Sequence, residues 1–129
     1  MSKQKKILVI DDDPNLVTFL TALLQDNGYQ VVSAKDGAEG LEKVGAEKPD
    51  LVLLDITMPE KSGVRFYRDL RENAATKALP VVMVTGVMEE FKKFIHSRRQ
   101  VPPPDGYLSK PVDKAELLRT IADILKKQS

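Results

Sequence analysis

A doubly wound parallel α/β sheet is the fold this sequence predicts, on three observations. Short apolar runs at residues 6–10 (KILVI), 51–55 (LVLLD) and 81–84 (VVMV) are bounded by turn residues. Continuous runs of this kind read as strands buried on both faces, the environment of a parallel sheet. Segments with helical periodicity separate them, so strands and helices alternate along the chain. Each run also ends in polar residues, which open α/β sheets present to ligands at their carboxyl edge.

In order, the first strand is Lys6 to Ile10, ending in Asp11-Asp12-Asp13. Pro14 suits a first helical turn, where its missing N–H costs nothing, and Asp13 suits the N-cap. Leu16, Leu20, Leu23 and Leu24 give this helix an inward face, and Gly28 stops it. Tyr29 to Ala34 is the second strand. Asp36 caps a second helix with Ala38, Leu41 and Val44 as its apolar face, closed by Gly45 and Pro49.

The central strand, Leu51 to Asp55, runs into Met58-Pro59. Ser62-Gly63 opens a third helix carrying Val64, Tyr67 and Leu70, and Pro80 precedes a fourth strand ending at Thr85-Gly86. A further helix is expected with Val87, Phe91, Phe94 and Ile95 on one side. Its His96, the chain's one histidine, is read as solvated. The irregular RRQVPPPDG follows, whose three prolines exclude helix. Gly106 to Ser109 is a short fifth strand meeting Lys110-Pro111. Asp113 and Glu116 form a capping-box-like start to a last helix with Leu117, Leu118, Ile121, Ile124 and Leu125 inward. Right-handed crossovers then favour a flavodoxin-like five-stranded sheet of order 2-1-3-4-5 with five helices.

At 129 residues the chain makes a single domain that buries roughly two-thirds of its unfolded surface. Lys and Arg number 20 against 19 Asp and Glu, a formal charge of +1, which argues against a field strong enough for nonspecific nucleic-acid binding. The absence of cysteine excludes disulfides and thiolate chemistry. No apolar run approaches the roughly 20 residues needed to cross a bilayer. MSKQKK before ILVI imitates a signal peptide, but its apolar part is short and ends in three aspartates. The expected location is the cytoplasm.

In the expected topology Asp11, Asp12, Asp55, Thr85 and Lys110 share one edge of the sheet. Carboxylates brought together repel, and a bound cation relieves the cost. Mg²⁺, a hard ion held through one or two carboxylates plus phosphate oxygens, suits such a set. A hydroxyl and an ammonium nearby suit a phosphoryl group, whose transfer depends on positioning and charge neutralisation.

These residues carry a resemblance. From about Lys5 to Lys127 the chain resembles the receiver domain of two-component response regulators, of the single-domain CheY-like type. ILVIDDDP looks like the family's acidic first strand, LVLLDITMP like its phosphoacceptor strand, VVMVT like the strand ending in the switch hydroxyl, and GYLSKP like its lysine–proline motif. The resemblance implies that Asp55 accepts a phosphoryl group from a sensor histidine kinase, a phosphotransfer protein or a small phosphodonor. Asp12, Asp55 and the backbone carbonyl of Thr57 would bind Mg²⁺, with Asp11 assisting through water. Lys110 would contact the phosphoryl group, and its bond to Pro111 would be cis. Thr85 and Tyr107 would act as switch residues that change a protein-binding surface, without turnover catalysis.

The partner on the output side would be a separate effector protein, with no direct contact to nucleic acid or membrane, and homodimerisation on phosphorylation is a family habit. Gly86, where the family more often has alanine, together with the longer Thr85–Lys110 segment and VPPPDG, departs from the pattern at the usual dimer surface. Met1 and the polar KKQS end suit a stand-alone receiver with no output domain. Two other readings compete. Asp11 and Asp13 form a D-x-D resembling haloacid-dehalogenase-like phosphatases, although Asn15 stands where those have threonine or valine. A flavodoxin-like cofactor module would need a Ser/Thr/Gly-rich phosphate loop, where this chain has DDDPN.

Overall fold

Five parallel strands form one sheet in the order β2-β1-β3-β4-β5: β1 (Lys6–Ile10), β2 (Gln30–Ala34), β3 (Leu51–Asp55), β4 (Val81–Thr85) and β5 (Gly106–Ser109). The order is the expected one. This computed structural model describes residues 4–55, 62–85 and 105–128, with four helices among them. These are α1 (Pro14–Asp26), α2 (Gly37–Glu47), α3 (Ser62–Glu72) and α4 (Lys114–Gln128). Thr57, the helix expected over 87–95, His96 and the three prolines at 102–104 lie outside the described residues.

Alternation along the strands sorts their side chains into two cores. Leu8, Ile10, Val52, Leu54, Val81 and Met83 pack with Val44 of α2 and Phe66, Tyr67 and Leu70 of α3. Ile7, Val9, Leu51, Leu53, Val82 and Leu108 pack on the other face with Leu20 and Leu24 of α1 and Leu117, Ile121, Ile124 and Leu125 of α4. All five residues of β3 are buried, because helices cover both of its faces.

Local signals set the helix ends. Asp13 accepts from Asn15 N at 2.9 Å, so it caps α1 as expected. At the other end Gly28 adopts φ +90°, its N–H donates to Gln25 O, and Tyr29 N–H donates to Leu24 O. That pair of bonds is a Schellman cap. It ties Tyr29 to the helix, which is why β2 starts at Gln30 rather than at the expected Tyr29. Asp36 caps α2 by accepting from Glu39 N, and Glu39 returns a carboxylate oxygen to Lys35 N–H, both at 2.9 Å. Glu116 N–H donates to Asp113 at 3.1 Å, as the start of α4 requires.

Two expectations for α2 are corrected. Its buried positions are Gly37, Gly40 and Val44, whereas Ala38 and Leu41 are exposed. The helix approaches the sheet so closely that a Cβ on Gly40 would lie 2.6 Å from Ile10 Cδ1 and 3.0 Å from the Phe66 ring. Close contact through glycine therefore replaces the stripe of larger side chains. Gly45, expected to end the helix, lies inside it; Lys48 takes the left-handed C-cap at φ 48°, its N–H bonded to Val44 O.

Candidate functional site

Strand parity aims three chemically active side chains at one place. Ile7 and Val9 face the α1/α4 core, and Asp11 is the next residue of that parity, one step past the end of β1. Leu51 and Leu53 lead in the same way to Asp55, and Leu108 leads to Lys110. Two-residue periodicity thus brings two acids and a lysine to the same face at the carboxyl edge of the sheet.

The three consecutive aspartates after β1 have separate environments. Asp11 is 4% exposed, and its Oδ1 accepts from Asp13 N at 2.9 Å. Asp12 is exposed, and Asp13 is occupied with capping α1. Asp55 is 3% exposed. Carboxylate oxygens of Asp11, Asp12 and Asp55 all lie within 4.8 Å of one another. Lys110 Nζ stands 3.4 Å from Asp55 Oδ2 and 3.9 Å from Asp11 Oδ2. The Lys110–Pro111 bond is cis, as the sequence motif implied.

One ammonium faces three carboxylates, so negative charge is left uncompensated. Burial pushes the Asp11 carboxyl up to about 6, and the neighbouring Asp55 adds to the rise. The Asp13 N–H and Lys110 pull the other way. Hard oxygen donors at this spacing fit a divalent cation such as Mg²⁺, which would neutralise what Lys110 leaves. An open groove of about 430 Å³ runs beside the acids, lined by Pro14, Val17, Ala34 and Lys35 among others.

Asp11, Asp12, Asp55 and Lys110 therefore converge as expected from the sequence. Tyr107 lies on β5 with 53% of its surface exposed. Thr85 closes β4, paired through its backbone with Ser109, while its side chain lies outside the described part of the structure. Asp13 is absent from the acidic cluster, which leaves the D-x-D phosphatase reading without support. Sequence reasoning missed a polar network joining Arg71, whose side chain is 6% exposed, to the exposed Asp105, which carries no periodic signature.

A family model described as the response regulator receiver domain matches residues 7–122, which include every one of these groups. The chain belongs to this family. It is 42% identical to protein PilH of Pseudomonas aeruginosa over 120 residues, covering 93% of this chain and 97% of PilH. It is 37% identical to the alkaline phosphatase synthesis transcriptional regulatory protein PhoP of Bacillus subtilis, covering 95% of this chain but 49% of PhoP. Solved receiver structures share the fold. Chemotaxis protein CheY4 of Vibrio cholerae aligns with a TM-score of 0.82 at 30% identity, covering 94% of this chain and 98% of CheY4. A CheY-like receiver domain protein of Methanospirillum hungatei gives 0.84 at 30% identity, covering 98% and 97%. Receiver domains are signalling modules that bind Mg²⁺ at an acidic pocket and work with histidine kinases and downstream effectors. No helix among the described residues is long and apolar enough to cross a membrane.

Proposed function

We propose that this receiver domain is the phosphoacceptor of a two-component phosphorelay, with Asp55 as the residue that takes the phosphoryl group. The observation that carries this reading is the position of Asp55. It is buried, with carboxylate oxygens of Asp11 and Asp12 within 4.8 Å and the Lys110 ammonium 3.4 Å away. A carboxylate oxygen of Asp55 attacks phosphorus, the bond from phosphorus to the donor's imidazole nitrogen or acyl oxygen breaks, and the leaving group keeps the electron pair. The product is an aspartyl phosphate.

Asp11, Asp12, Asp55 and the carbonyl of Thr57 would hold Mg²⁺, which supplies charge neutralisation at the transferred oxygens. Asp11 and Asp12 fix the carboxylate frame, and Lys110 offers a positive charge to the incoming phosphoryl group. The acylphosphate brings roughly two negative charges and three acceptor oxygens to the pocket. These favour one position of Lys110 and Thr85 over another and shift the exposed Tyr107 and its surroundings between two arrangements. A histidine kinase or phosphotransfer protein is the donor and a separate cytoplasmic effector reads the altered face, with self-association as a further output.

Incubation with acetyl phosphate and Mg²⁺, followed by intact and peptide mass spectrometry, tests the reading. One phosphoryl group per chain on Asp55, absent in Asp55→Asn and retained in Asp13→Asn, is expected. Labelling elsewhere, or continuous turnover of a phosphomonoester dependent on Asp11, would overturn it.

A further inference from the structure

We infer that Asp105 and Arg71 form a polar clamp that sets the register of β5 on β4 and thereby positions Lys110 against Asp55. The inference rests on Asp55 being the phosphoryl acceptor, and it assigns positioning roles to two residues at the opposite, amino-terminal edge of the sheet.

β5 is an end strand of four residues, and Leu108 is the single side chain it buries. One apolar anchor specifies register weakly, because strands are normally fixed by a whole buried face. Polar bonds make up the difference. Asp105 N–H donates to Val81 O at 2.9 Å, and Val81 N–H donates to Asp105 Oδ2 at 2.8 Å. The same Oδ2 accepts from Arg71 Nη2 at 3.1 Å. The side chain of Arg71 is 6% exposed. Its Nη1 donates to Leu79 O at 2.7 Å and Lys77 O at 3.2 Å, and its Nε donates to Tyr67 Oη at 3.2 Å. Burial raises the Tyr67 hydroxyl, which keeps it a neutral acceptor, and the guanidinium lies 4.7 Å from its ring centroid. The planar fork of Arg71 thus joins α3, the turn before β4 and the start of β5, a geometry that lysine does not reproduce.

Distance along β5 turns this clamp into a site constraint. Lys110 follows Asp105 by five residues, about 16 Å at roughly 3.3 Å per residue. The smallest slip that keeps Leu108 facing the core is two residues, which would shift Lys110 by about 6.6 Å. That exceeds the 3.4 Å separating its Nζ from Asp55. Next to the clamp, a Cβ on Gly106 would lie 3.1 Å from Thr120 Cγ2, so in this register the strand passes close to α4 at a residue without a side chain.

The test compares wild type, Asp105→Ala, the milder Asp105→Asn that keeps an acceptor, and Lys110→Ala. Amide hydrogen exchange, Mg²⁺ titration and acetyl phosphate labelling are measured on each. In Asp105→Ala, the Tyr107, Leu108 and Ser109 amides should exchange faster while those of β1 and β3 keep wild-type rates. Labelling of Asp55 should fall about tenfold or more, the scale of a misplaced catalytic group. Mg²⁺ should bind more tightly, as in Lys110→Ala, and adding Lys110→Ala should change little further. Asp105→Asn should fall between, and it carries the comparison if Asp105→Ala does not fold. A folded variant with wild-type β5 exchange, or with wild-type labelling and Mg²⁺ affinity, overturns the clamp. A wild type that takes no label overturns the acceptor reading instead, and the clamp then stands or falls on β5 exchange.

Discussion

Lys110 Nζ lies 3.4 Å from Asp55 Oδ2 although β4 separates their strands in the sheet. With strands about 4.8 Å apart, the two backbones stand roughly 10 Å apart, a gap that the lysine stem, the aspartate side chain and the contact between them close together. In the proposed reaction the Lys110 ammonium is the positive charge that an incoming phosphoryl group meets, and it would compete with a bound cation for the same carboxylates. Lys110→Ala should therefore bind Mg²⁺ more tightly and accept phosphate more slowly, by about 100-fold. Isothermal titration alongside labelling kinetics checks this; a variant that loses both properties together would mean that Lys110 is structural.

Asp11 gives a pH dependence with a definite sign. Its carboxyl is raised from 3.8 to about 6, first by burial and then by Asp55, so the folded chain holds this proton more tightly than the unfolded chain. The resulting stability is fully present below pH 3.8 and is lost as pH rises through about 6. Asp11→Asn removes that loss. In metal-free buffer the variant should gain on wild type between pH 4 and 7, by at most about 3 kcal/mol. Urea unfolding at a series of pH values measures the difference, and parallel curves for the two proteins would contradict it.

Mg²⁺ should raise the melting temperature, because the acidic cluster exists only in the folded chain. At ten times its Kd the ion contributes about 1.4 kcal/mol, or about 5 °C. Asp12→Ala should abolish the shift and EDTA should reverse it in wild type. Acid should weaken it too, since protons compete for Asp11 below about pH 6. Melting curves insensitive to Mg²⁺ would show that the cluster does not hold the ion.

Two glycines of α2 should respond in opposite ways to alanine. A Cβ at Gly40 meets the buried Ile10 and Phe66, whereas one at Gly45 meets nothing within 4 Å. Gly40→Ala should cost about 1–2 kcal/mol after its gain in helix propensity, and Gly45→Ala should stabilise by up to about 1 kcal/mol. Equal effects in thermal unfolding would argue against the close approach of α2 to the sheet.

Strands, order and most of the pocket were legible because parallel strands are covered on both sides, so LVLLD reads as one continuous apolar run. Asp11, Asp55 and Lys110 stand next to such runs, and topology did the rest. α2 was less legible: helical period selects Ala38 and Leu41, but the glycines let the backbone itself become the contact surface. Gly45 looked like a helix stop, while the left-handed position went to Lys48. Arg71 and Asp105, 34 residues apart, pair through polar atoms that follow no period.

The shared parity of Asp11, Asp55 and Lys110 limits how this chain can vary. A single residue inserted into β1, β3 or β5 would turn the reactive side chain through half a period onto the wrong side of the sheet. Substitutions that preserve apolar character in these strands leave the aim of the site intact, whereas a change of length by one does not. Strand length here sets which way the side chains of the pocket face.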